Sequence, residues 1–283
     1  MVEITIFGSL ILAGGTILEK VILRKRKIDI KLYQVLSFLT IVLIMLPFIY
    51  FFWRMDAAAL ELKNIIIVGL VVILSLLANI FTFYSIKWEK ITNIEPAKMM
   101  EPLFVIVLAL IFSLFTEGMY AQNSKVIVPA LLAACALIFS HLRKHHLNFN
   151  KYFVTAIFGS LFFAMELILS RLVLDLYSPL TFYFIRCLSI AILSLIIFHP
   201  RLNRLDKKVR WEIFAAGAIW VVYRMIIYYG YVNLGVIFTT LMIMVGPVFI
   251  YLFAWKFLKE KLDWRNIVAA AVIIGSVLYA LLA

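Results

Sequence analysis

FGSLILAGGTILEKVIL, residues 7–23, returns without a gap as FGSLFFAMELILSRLVL, residues 158–174. A repeat this far apart in one chain points to two copies of a larger unit. Working outward, Leu36-Ser37 recurs as Leu188-Ser189 at nearly the same offset. Pro102-Leu103-Phe104 pairs with Pro247-Val248-Phe249. Residues 1–142 and 151–283 therefore read as two related halves.

The halves are built of membrane helices. The chain is 65% hydrophobic and 15% charged over 283 residues, against about 45–50% and 25% for soluble domains. Ten apolar runs lie near 4–23, 33–53, 64–86, 94–115, 125–142, 152–176, 180–199, 211–232, 236–258 and 264–283. Each approaches the 20 or so residues that a helix needs to cross a bilayer. None shows the period-2 alternation of a barrel strand. The fold expected is an all-α integral membrane protein, ten transmembrane helices in two five-helix repeats. No basic segment precedes the first run, only Glu3, so that run is expected to stay as a helix rather than act as a cleaved signal.

Five helices is an odd number, so the second copy should sit upside down. Lys and Arg, which favour the cytoplasm, agree. The loops after helices one, three, five, seven and nine carry five, two, three, five and four of them. The other loops together carry Arg54, Lys63 and Lys125. This count puts both termini outside. The net charge of +12 thus reflects topology, not nucleic acid. Inverted repeats are a carrier architecture, in which two halves rock about a site near the midplane.

Two further stretches carry a resemblance. MMEPLFVIVLALIFSLFTEG (99–118) and IMVGPVFIYLFAWKFLKEKL (243–262) each run from small or polar residues through a Pro step to an apolar run closing on Glu. Arg186 stands early in the seventh helix, in FYFIRCLSIAILSL. Together with ten spans in two copies, these resemble the EamA-like members of the drug/metabolite transporter superfamily, over essentially the whole chain. The resemblance implies a carrier of small metabolites, commonly amino acids or related compounds and commonly ion- or proton-coupled, in a prokaryotic plasma membrane. It also implies cytoplasmic termini, against the charge count. Gln34 stands where the second half has Arg186, and family members commonly lack the charges of the fourth helix described next.

Glu95, Lys98 and Glu101 open the fourth apolar run at i, i+3 and i+6, spread over about 120° of a helix. Charges inside a membrane face a cavity or a partner. Glu95 precedes Pro96 and suits a helix start, where a carboxylate is favourable. Lys98 can reach the headgroups or pair internally. Glu101, about 9 Å further along the helix, is the hardest to explain by packing. A substrate or proton site and a structural Lys98–carboxylate pair are both open. In the eighth helix Trp220, Arg224, Tyr228 and Tyr231 are spaced 4, 4 and 3, one helical stripe. They suit a cavity wall, with Arg224 holding a carboxylate or phosphate; the alternative is an Arg224–Glu166 pair between helices. Asn79 aligns with Arg224. Arg186 is either in the site or interfacial, and Arg171 and Asp175, at i,i+4, can satisfy each other. Pro102 and Pro247 each remove one helical hydrogen bond, and matching breaks mark a carrier's centre.

No catalytic or metal constellation appears. Cys135 and Cys187 lie in apolar runs. His141, His145 and His146 sit in a basic loop and read as solvated. No glycine-rich phosphate loop suggests ATP use, and no cofactor is expected. The reading is a secondary carrier of a small polar metabolite, an amino acid or related zwitterion or amine. The partners expected are that solute and the bilayer, with monomer and homodimer both open. Glu95, Lys98, Glu101, Glu166, Arg186, Trp220, Arg224, Tyr228 and Asn79 are the expected pathway residues. A lipid-linked sugar or lipid carrier is the alternative; a channel or membrane enzyme has less support.

Overall fold

The structure, a computed structural model, describes residues 2–25, 28–89, 97–116, 124–141, 150–200, 205–249 and 264–282. Among these the chain forms ten helices: α1 (Val2–Lys20), α2 (Ile30–Phe52), α3 (Leu62–Trp88), α4 (Glu101–Ser113), α5 (Ser124–His141), α6 (Lys151–Leu174), α7 (Pro179–Phe198), α8 (Lys207–Asn233), α9 (Val236–Ile243) and α10 (Trp264–Leu282). One isolated bridge, Met55 to Tyr177, is the single β element among the described residues.

Local chemistry sets several boundaries. The Asn150 side chain accepts from the Phe153 amide at 2.8 Å and starts α6. Ser178 does the same for α7 through the Thr181 amide, with Pro179 at the first helical position. His199 adopts a left-handed φ of 40° and ends α7 ahead of Pro200. Gly235, at φ 83°, makes the short turn between α8 and α9, a conformation open to glycine at little cost.

Seven of the helices are long and apolar enough to cross a membrane. Ten full spans were expected; α4, α5 and α9 are shorter apolar helices. Two of these stand beside a turn. A turn at Met99–Met100 precedes α4 and Pro102, and a turn at Met244–Val245 interrupts the ninth helix ahead of Pro247. A proline cannot bond back to the residue four before it, and the helix opens at the equivalent place in each half. Large apolar side chains such as Tyr50, Phe51, Leu114 and Phe115 point outward, a surface suited to lipid. Trp53, Trp88, Trp211 and Trp264 are exposed at helix ends, where membrane interfaces favour aromatic rings.

The helices pack mostly across the two halves. α3 lies along α6 and α1 along α8; α2 crosses α7 and α8; α3 touches α7; α4 lies against α6 and α9 against α1; α5 pairs with α10 and α4 with α9. Shifting every helix by five positions turns this set of pairs into itself. The repeated FGS tripeptide supplies the contacts. A Cβ on Gly8 would meet Ile226 Cγ2 of α8 at 2.8 Å, and one on Gly159 would meet Thr82 Oγ1 of α3 at 2.7 Å. Ser160 donates to the Ala97 carbonyl at 3.0 Å, beside the break before α4. Its counterpart Ser9 lies against Gly246, beside the break in the ninth helix.

Two apolar clusters result. The smaller gathers Ile22, Leu23, Tyr33, Phe83, Ala97, Phe153 and Val209 at the end where the basic loops lie. The larger occupies the rest of the interior, around Phe182, Tyr183, Tyr228 and Leu241. At the far end the loops before α3 and α7 are stitched together. The Asp56 amide donates to the Leu176 carbonyl at 2.9 Å, and the Ser178 amide to the Arg54 carbonyl at 3.0 Å.

Candidate functional site

Between the clusters lies a polar cavity of about 100 Å³, room for several waters or part of a small solute. α1 contributes Thr16 and Glu19, α2 Ser37, α3 Asn79 and Thr82, α7 Tyr183 and Arg186, and α8 Trp220, Tyr223 and Arg224; Lys98 and Glu101 enter from the start of α4. A neighbouring lobe of about 110 Å³ shares Lys98, Glu101 and Tyr223, and reaches Pro102, Gly246 and Pro247. Both helix breaks therefore open onto the lobe that shares Lys98 and Glu101 with the cavity.

One wall is a buried charge network. Glu166 of α6 is fully buried. Its Oε1 lies 3.1 Å from Arg186 Nη1, and its Oε2 lies 3.4 Å from Arg224 Nη1. The Tyr228 hydroxyl donates to Oε1 at 3.3 Å and accepts from Arg186. Arg186 Nε donates to Ser75 Oγ at 2.8 Å, tying α7 to α3. The Ser170 hydroxyl lies 3.1 Å from Oε1. The guanidiniums also lie over aromatic rings, Arg186 over Tyr183 at 5.5 Å and Arg224 over Phe163 at 5.7 Å. A carboxylate shared by two guanidiniums is the kind of pairing that lets charges persist in a dry interior.

The expected residues divide accordingly. Lys98, Glu101, Asn79, Arg186, Trp220 and Arg224 line the cavity, and Asn79 Nδ2 donates to the Ser75 carbonyl at 2.7 Å. Glu166 and Tyr228 stand behind the wall and hold its cations. Thus Arg224 is both paired with Glu166 and open to the cavity. The α8 stripe winds off the cavity because four-residue steps advance about 40° each: Trp220 faces it, and Tyr228 and Tyr231 are buried in the larger cluster. Tyr223, three residues after Trp220, takes the place expected of Tyr228. Among the described residues Lys98 and Glu101 close no ion pair within 4.0 Å, so the structural pairing considered for them is not made there. Arg171 does bond Asp175, at 2.7 Å. Glu95, His145 and His146 lie outside the described residues.

Sequence reasoning missed Glu19, Thr16, Ser37, Ser75, Thr82 and Tyr223. Glu19 was within reach, as an acidic residue still inside the first apolar run. The small hydroxyls carried no signal of their own, since serine and threonine are ordinary in membrane helices.

Residues 150–282 match the sequence model of the EamA-like transporter family. A solved crystal structure of another protein superposes with a TM-score of 0.69 at 16% identity, covering 99% of this chain and 95% of that one. At that identity the likeness concerns the fold. No curated protein matches the sequence.

Proposed function

We propose, from the match of residues 150–282 to the EamA-like transporter family, that the whole chain is a secondary carrier of a small zwitterionic metabolite. In this reading residues 1–142 and 151–283 are inverted five-helix repeats that rock about the cavity. The basic loops face the cytoplasm, and both termini lie outside.

One observation carries the substrate class. A carboxylate (Glu101) and an ammonium (Lys98), neither in an ion pair within 4.0 Å among the described residues, line one cavity with Arg224 inside a membrane protein. Charges left unpaired at such depth are costly, and a solute bearing both signs would complete them. A substrate ammonium fits Glu101, and a substrate carboxylate fits Lys98 and Arg224. The matching breaks beside Pro102 and Pro247 support placing the pivot here.

The test is counterflow of a radiolabelled mixture of amino acids and amines in proteoliposomes. Saturable, exchangeable flux is expected from the wild type. Removing one partner of a desolvated charge pair costs about 2–5 kcal/mol, so Glu101→Gln should raise the half-saturation concentration on the order of 100-fold. Flux unchanged in that variant, or flux confined to uncharged solutes, would refute the assignment.

A further inference from the structure

Besides Glu101, which lines the cavity, and Glu166, which stands behind its wall, there is a third carboxylate, one that substrate binding does not use. Glu19, near the end of α1, is 7% exposed and lines the cavity close to Tyr33 and Phe83 of the smaller apolar cluster. Its setting differs from those of the other two. Glu166 is gripped by two guanidiniums. Glu101 is half-buried and shares the cavity with Arg224. Glu19 has no cation within 4.0 Å among the described residues, yet it faces Tyr33 of α2, Trp220 of α8 and Lys98 ahead of α4. α3 adds Thr82 and Phe83 to the cavity wall and no charge.

The surroundings are built for a group with two states. The Tyr33 hydroxyl and Trp220 Nε1 are buried and close no hydrogen bond among the described residues. Tyr33 is fully buried, held edge-on against Phe83 at 4.9 Å. The Trp220 ring lies against α1 one turn before Glu19, 3.4 Å from where a Gly15 Cβ would stand. Two orphan donors beside a carboxylate suit the ionised form, since donors left unmade in a dry site are expensive. The lack of a paired cation suits the protonated form. Lys98 decides between them, and it stands immediately before the Met99–Met100 turn, where the backbone has a joint.

We propose that Glu19 is a proton-binding site of this carrier, separate from the substrate subsite and coupled to it through Lys98. This rests on the carrier reading above. When a substrate carboxylate draws Lys98 toward the cavity centre, Glu19 loses its nearest cation and takes a proton from hydronium, leaving water and a neutral carboxyl. When the solute leaves and Lys98 returns, the proton passes back to water and both ring donors close on the carboxylate. Substrate and proton then bind together, and by linkage each favours the other.

Two readouts test this, the first needing no substrate. Infrared difference spectra of the purified full chain between near-neutral and alkaline buffer, above the range in which exposed carboxylates protonate, should show a protonated-carboxyl band. The band should vanish in Glu19→Gln and persist in Glu101→Gln and Glu19→Asp. In proteoliposomes given the amino-acid mixture, Glu19→Gln should retain counterflow and lose accumulation driven by a pH gradient; Glu19→Asp should keep both. A band that survives in Glu19→Gln, or gradient-driven accumulation unchanged in it, overturns the proposal. A band lost in Glu19→Gln while no amino acid moves in the wild type upholds the proton site and overturns the zwitterion reading instead.

Discussion

Replacing Glu166 by Gln removes the single negative charge between Arg186 and Arg224 while keeping the shape of the side chain. Both guanidiniums are buried, with side chains 2% and 9% exposed. Breaking a buried pair by removing one partner costs about 3–5 kcal/mol. Here the two cations also lose their common screen. Their Nη1 atoms sit 3.1 and 3.4 Å from opposite oxygens of one carboxylate, so the groups lie roughly 6 Å apart. At an effective dielectric of about 20 that separation adds about 2–3 kcal/mol of repulsion. Arg224→Gln should be milder, about 1–3 kcal/mol. It leaves the 3.1 Å Arg186–Glu166 pair intact and removes a cation that cavity water can reach. The assay is thermal unfolding of purified protein, followed by tryptophan fluorescence. Glu166→Gln should lower Tm on the order of 10 °C or more, from about 2–4 °C per kcal/mol for chains of comparable size. Adding Arg224→Gln to Glu166→Gln should recover part of that loss, because an unpaired cation goes with it. A Glu166→Gln protein as stable as wild type, or one more stable than Arg224→Gln, would refute the argument that this network is a structural clamp.

Two further outcomes follow from packing and from the loop stitch. Gly159→Ala should destabilise by about 1–3 kcal/mol. The new methyl meets the Thr82 amide nitrogen at 3.3 Å and the Ala78 carbonyl at 3.4 Å as well as Thr82 Oγ1; Thr82→Ala should therefore relieve only part of the loss in the same melting assay. Met55 and Tyr177 form a non-hydrogen-bonded antiparallel pair, flanked by the two amide–carbonyl bonds of their neighbours. Such pairs have Cα atoms about 4.5 Å apart, within disulfide range. Met55→Cys with Tyr177→Cys should cross-link on mild oxidation, seen by gel mobility. Flux should stop and return on reduction; flux through the oxidised protein would show that these loops do not part during transport.

The membrane class and ten helices were legible from composition and run length, because lipid leaves the backbone few ways to satisfy itself. Pro102 and Pro247 marked where the helices open. Within the described residues α4, α5 and α9 fall short of full spans, and each of these stretches adjoins residues outside the described set. At the site, Lys98, Glu101, Arg186, Trp220 and Arg224 were identified as charged or amphipathic residues in apolar surroundings. Glu19 was passed over because a carboxylate near a helix end reads equally well as reaching the headgroups. Its position is decided by α8 packing along α1.

The same division holds for the whole chain. One-dimensional patterns determined what each helix is, since burial in lipid and backbone hydrogen bonding act on a helix by itself. Tertiary structure alone decided that Glu166 is locked by Arg186 and Arg224 while Glu19 and Glu101 have no ion pair within the described residues. The locked set brings side chains of α6, α7 and α8 together, whereas Glu19 and Glu101 stand on α1 and α4. Which of them meet depends on where glycines such as Gly8 and Gly159 let helices from opposite halves touch, a property of pairs of helices that no single segment encodes.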